Sequence, residues 1–183
     1  MAEPRDGGLR EAWAKAFLRQ GKADLDTFLF LSAWTSTQVP VCHRLQFLQM
    51  AGEKIAKAYR IRDTAAPLEG ESGLLTRHVG FHKFLRAFLL SPSVRRDYEG
   101  RDEQYQVQSR MVLQLARQVE RLAPSVDQLT SPENVEYPWR VNEEVVAPCD
   151  HDFSRLSLLA EPGGRTLLKL LRRAVDDFGA IRI

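Results

Sequence analysis

Between Arg77 and Phe84 the chain reads RHVGFHKF, an arginine with one histidine beside it and a second histidine five residues on. These side chains can cut RNA without a metal: histidine moves a proton near neutral pH, and arginine stabilises charge growing on a phosphate. Arg77, His78 and His82 are therefore the candidate catalytic residues. Spacing sets a condition. Five residues turn a straight helix by roughly 140°, so Arg77 and His82 converge only from an irregular first turn or across a dimer interface. The competing reading is a helix N-terminus with a surface arginine and a partly buried histidine.

His78 and His82 also stand i, i+4, a spacing that suits a divalent metal on one helix face. The residues between them, Val79, Gly80 and Phe81, supply no acid. His151, in CDHDF, is a remote third ligand, and that segment reads better as a loop ending in an Asp152 helix cap. No metal and no cofactor are expected.

Two basic stripes could meet phosphate. Arg110, Gln114, Arg117 and Arg121 line one face of their helix, and Arg165, Lys169 and Arg172 or Arg173 line another, with Arg95 and Arg96 as a local cluster. Arginine offers a planar fork to phosphate oxygens, so Arg110, Arg117 and Arg121 are the candidate nucleic-acid contacts. A solvated helix face is the alternative, and Glu120, Asp176 and Asp177 dilute the field. A net charge of +2 over 183 residues leaves any such claim to local placement rather than to overall charge.

GxxxxGK[ST], GxGxxG and GxSxG are all missing, so phosphate-loop ATP hydrolysis, dinucleotide cofactors and the serine-hydrolase elbow have no support. Cys42 and Cys149 form no paired motif, which argues against a disulfide framework or zinc knuckle and for a reducing cytoplasm. The opening MAEPRDGGLREAW lacks the apolar core of a signal peptide. The longest apolar stretch, Phe28 to Leu31, is far short of the roughly 20 residues that span a bilayer. A cytoplasmic protein without membrane contact is expected.

These residues must be held by helices. Leu9–Gln20 predicts a first helix stopped by Gly21, and Asp24 or Asp26 predicts the cap of the next. Val41, Leu45, Leu48, Gly52, Ile55 and Tyr59 form an uninterrupted stripe after Pro40, with Gln46, Gln49, Glu53, Lys57 and Arg60 opposite. Gly52 lies on the stripe, where a missing side chain lets another helix approach. A Pro- and Gly-rich loop, 63–73, separates this helix from one capped by Thr76 and ended at Ser91-Pro92, with Phe81, Leu85 and Phe88 inward. The next helix runs from about Glu103 to Ala123, burying Val107, Met111, Leu115, Val119 and Leu122. From Ser125 to Pro148 the helical period vanishes, which predicts an extended loop or short edge hairpin. Short helices over Phe153–Leu159 and Arg165–Phe178, separated by Pro162, Gly163 and Gly164, close the chain. The expected fold is all-α, one domain over 1–183, a bundle of six or seven helices with an irregular extended segment around 125–150.

LQMAGEKIAKAYR, Leu48 to Arg60, is similar to the second-helix pattern of HEPN domains, and RHVGFH is similar to that family's nuclease motif of arginine, polar residue, spacer and histidine. EYPW, Glu136 to Trp139, resembles the RYP-like segment of nucleotidyltransferase-associated members. The resemblance covers about residues 39–140, leaving a C-terminal helical extension over about 151–183. It implies an all-α bundle and a prokaryotic toxin–antitoxin or antiviral role. The implied partners are RNA and either a second copy of the chain or an antitoxin or defence subunit. Active members cut RNA without metal at facing Arg–His motifs. Carried over, Arg77 and His82 would be catalytic with His78 as their polar neighbour. The alternative is a non-catalytic module that binds a nucleotide, a nucleic acid or a partner subunit.

Overall fold

The computed structural model describes residues 5–33, 39–70, 73–75, 80–126, 132–153 and 159–183. Among them the chain is mostly helical, with six α-helices and one two-stranded sheet. The helices are α1 (Arg5–Ala33), α2 (Val41–Asp63), α3 (Phe81–Leu90), α4 (Pro92–Arg96), α5 (Asp102–Glu120) and α6 (Pro162–Asp176). Strands β1 (Trp139–Val141) and β2 (Glu144–Val146) form an antiparallel hairpin that pairs Trp139 with Val146 and Val141 with Glu144. Asn142 turns it at φ 56°, a left-handed conformation that asparagine tolerates. No helix among the described residues is long and apolar enough to cross a membrane.

Helix α2 is the centre of the core. Leu45, Leu48, Ala51, Ile55, Ala58, Tyr59 and Ile61 are all buried, and α1, α3, α5 and α6 pack around it. The stripe expected from sequence holds from Leu45 to Tyr59, while Val41 at its start stays exposed. The opposite face is less polar in its surroundings than its residues suggest. Gln49 and Lys57 are buried. Both reach Glu53, at 3.1 and 3.4 Å, and Lys57 also donates to the Leu75 carbonyl at 3.2 Å.

Helix α1 lies antiparallel to α2, and Gly21 does not end it. A Cβ at Gly21 would stand 2.9 Å from Ile55 Cγ1 and 3.1 Å from the Ile55 nitrogen, so the glycine allows a close helix crossing. Asp24 and Asp26 accordingly lie inside α1 and cap nothing. Asp24 is buried and accepts from Lys54 at 2.5 Å and Gln20 at 3.1 Å, whereas Asp26 pairs with Lys22 on the surface.

The same physics corrects the C-terminal reading. Pro162, Gly163 and Gly164 open α6 instead of separating two helices, with proline at a first-turn position where its missing N–H costs nothing. A Cβ at Gly163 would meet Met111 at 3.1 Å, so here too glycine permits contact between helices. On α5 the buried side is Val112, Leu115, Ala116 and Val119, while Val107 and Met111, expected inside, are exposed. Most of the Phe153–Leu159 segment and the expected Thr76 cap fall outside the described residues.

Candidate nucleic-acid interface

Helix α3 starts at Phe81, one residue after Gly80, whose φ of 142° suits glycine alone. The first N–H groups of a helix have no internal partners. Here the backbone nitrogens of Gly80 and Phe81 donate to Glu120 Oε1 at 2.6 and 2.9 Å. A carboxylate from the end of α5 thus caps α3 and complements its dipole. The Phe81 ring seals the junction from below: a Cβ on Gly52 would lie 2.9 Å from three of its carbons, so the close approach expected at Gly52 is made by this ring.

This docking brings the first turn of α3 against the last turns of α5. His82 is half-buried, and Arg117 Nε donates to its Nε2 at 3.0 Å. A ring nitrogen that accepts from a guanidinium carries no proton, so His82 is neutral with its hydrogen on Nδ1. Its pKa lies below the ordinary histidine value, first because burial disfavours the charged ring, then because Arg117 and Arg86 repel it; Glu120 opposes them. Arg86 stands one turn along α3 and is exposed. Arg110 and Arg121 are exposed on the face of α5 that carries Arg117. The sequence-predicted arginine stripe is therefore a surface, and its middle member has a partner that no spacing rule exposed.

Arg77 and His78 lie outside the described residues. The expected His78–His82 pair therefore falls outside the described residues as well, and α3 itself begins at Phe81, after Gly80. Among the described residues no group of three or more His, Cys, Asp or Glu side chains could hold a metal ion. His151 instead bonds Glu133 Oε1 at 2.9 Å and packs edge-on against Trp139 and Phe153, a structural tie near the hairpin. Asp152 is exposed, and the segment it was expected to cap is not described. In the EYPW segment, Asn134 Oδ1 accepts from the backbone nitrogens of Glu136 and Tyr137 at 2.9 and 2.8 Å. That turn leaves Tyr137 in solvent and buries Trp139.

The second expected stripe divides. Arg173 bonds Asp97, Asp177 and Ser93, tying α6 to α4, and Arg165 donates to the Ala160 carbonyl at 2.8 Å. Arg95 pairs with Asp102 and lies over the Tyr105 ring. Lys169 and Arg172 of the same stripe are exposed.

No protein-family model matches the chain, no curated protein matches it, and no solved structure matches it.

Proposed function

We propose that the chain is a HEPN-like protein that acts on RNA through the α3–α5 face, with phosphates met by Arg110, Arg117 and Arg121. The single observation that carries this reading is the Arg117–His82 bond set among exposed arginines. At rest Arg117 blocks the basic nitrogen of His82. An RNA phosphate is a stronger acceptor than a neutral imidazole, so it draws Arg117 away and frees Nε2. Nε2 can then take the proton of a ribose 2′-hydroxyl while that oxygen attacks the phosphorus. The bond to the 5′-oxygen breaks, water protonates the leaving oxygen, and a 2′,3′-cyclic phosphate remains. Arg117 stabilises the extra phosphate charge during the attack. Through the HEPN resemblance the reading also includes Arg77 and His78 beside His82, and a second copy or an antitoxin or defence subunit as protein partner.

The non-catalytic reading has its own support. A histidine that is already hydrogen-bonded at Nε2, with a depressed pKa, is equally a structural tie between α3 and α5.

One assay separates the two. Single-stranded RNA is incubated with wild type in EDTA, alongside His82→Ala, Arg77→Ala and the triple change of Arg110, Arg117 and Arg121 to Gln. Cleavage that needs His82 and spares DNA, which lacks the 2′-hydroxyl, is the expected result. Comparing Arg77→Ala with the single change Arg117→Gln tells which arginine serves the histidine. Salt-dependent binding without cleavage, weakened and flattened in slope by the triple change, selects the binding module. Equal binding and equal salt slopes for wild type and triple variant would overturn RNA action at this face.

A further inference from the structure

A second site lies away from the arginine face and shares no residue with it. A cleft of about 460 Å³ opens between the end of α1, the start of α2 and the middle of α6. Its walls include Phe28 and Leu29 from α1, Leu45 from α2, Phe153, and Leu168 from α6. Phe28, Leu45 and Phe153 are otherwise buried residues of the main core, so the cleft reaches into it. Its volume falls in the range of about 300–1,000 Å³ common to small-molecule sites, which are mostly apolar with a few placed polar groups.

Here the placed group is Arg44. It lines the cleft from the first turn of α2, and its Nε is sealed from solvent with no hydrogen-bond acceptor. Buried N–H groups nearly always have a partner, and this one belongs to a cation. Arginines elsewhere in the chain fill such valences: Arg10 holds three carbonyls and Arg62 holds Asp63. Asp152 also lines the cleft, from an exposed position, and among the described residues neither it nor Arg44 forms an ion pair. One cation with a carboxylate nearby favours a singly charged anion over a doubly charged phosphate.

We propose that this cleft binds a small amphipathic carboxylic acid, its apolar body between Phe28, Leu45, Phe153 and Leu168 and its carboxylate on Arg44. The guanidinium fork matches a carboxylate in shape and charge.

The test is calorimetric titration of the full chain with decanoate, decan-1-ol and decyltrimethylammonium, each below its micellar range. Decanoate should bind at one saturable site, and the cation should not. Arg44→Gln should weaken decanoate by about tenfold or more while leaving decan-1-ol unchanged. Asp152→Asn should act oppositely and tighten decanoate. A thermal melt of each variant reports whether it is folded, and decan-1-ol binding reports whether the cleft is intact. Absence of saturable decanoate binding to wild type would overturn the proposal. So would equal decanoate affinity in wild type and folded Arg44→Gln, or a cation that binds as tightly as the acid.

Discussion

Arginine does opposite work at the two ends of this fold. At the end of α2, Arg62 lies between the Tyr59 and Phe178 rings, 4.5 and 4.2 Å from their centres, and grips both oxygens of Asp63 at 2.6 Å. It also donates to the carbonyls of Phe178 and Ile181, while Arg182 and the Ile183 nitrogen complete Asp63. Nearby, Arg10 closes α2 through the carbonyls of Ile61, Thr64 and Ala66. At the α3–α5 face Arg117 is exposed and its acceptor is a neutral ring. Arg62 and Asp63 at the centre of the first set are largely enclosed and fitted to partners within the fold. The second faces water and can exchange acceptors. What distinguishes them is solvation, since a buried cation must be paired and an exposed one need not be.

The largest effect should come from breaking the buried set. Asp63→Ala leaves the Arg62 guanidinium enclosed without its carboxylate, which should cost about 3–5 kcal/mol in urea unfolding. The native Asp63 pKa is the net of opposed influences. Burial pushes it up, but hydrogen bonds from Arg62, Arg182 and the Ile183 nitrogen outweigh burial and leave it lowered. Arg110→Gln is the contrasting change and should stay within about 0.5 kcal/mol of wild type, as surface substitutions do. Equal losses from the two variants would erase the distinction between the regions.

A smaller effect is expected where the regions meet. Gly52→Leu pushes a side chain into the Phe81 ring and should destabilise by about 1–3 kcal/mol through overpacking. Because Phe81 is the first residue of α3, the strain should also reach the Glu120 cap and the His82–Arg117 bond. An unchanged urea midpoint together with an unchanged His82 imidazole resonance would show that the ring relaxes without moving the helix.

The helical class and the central place of α2 were legible because a stripe such as Leu45–Leu48–Gly52–Ile55–Tyr59 repeats at helical spacing over several turns. Glycines were misread for a physical reason. Gly21 and Gly163 suit a helix end by conformation and a helix crossing by size, and sequence carries no sign of which demand operates. Only the partner decides, here Ile55 and Met111. On α5, Val107 and Met111 continue the apolar spacing of Leu115 yet lie past the edge of the core, so periodicity set the type of element but misplaced its buried face. Site chemistry was half legible. Residue types marked His82 and Arg117 separately, but they sit 35 positions apart in the chain, and only the packing of α3 on α5 joins them.

The smallest expected effect is the most direct probe of that junction, since it titrates one ring. The folded His82 pKa lies below the unfolded value of about 6.5. Above that value both states hold a neutral ring, and the Arg117 bond contributes fully. As pH falls through about 6.5 the unfolded chain takes up the proton first, so stability declines until the lower folded pKa is passed. Protonation places a cation beside Arg117 and Arg86 with Glu120 as the opposing charge, and it removes the acceptor that holds Arg117. RNA affinity should also rise as pH falls, because phosphate beside the ring favours its protonation in the complex, which releases Arg117 and adds a positive charge. Melting midpoints and RNA titrations at about pH 7.5 and about pH 5.5 test both slopes on the two sides of the unfolded value. In His82→Gln, which can still accept from Arg117 but cannot titrate there, both slopes should flatten together. If stability and affinity instead fall in parallel, or if His82→Gln keeps both slopes, the proton acts elsewhere and His82 is no switch for Arg117.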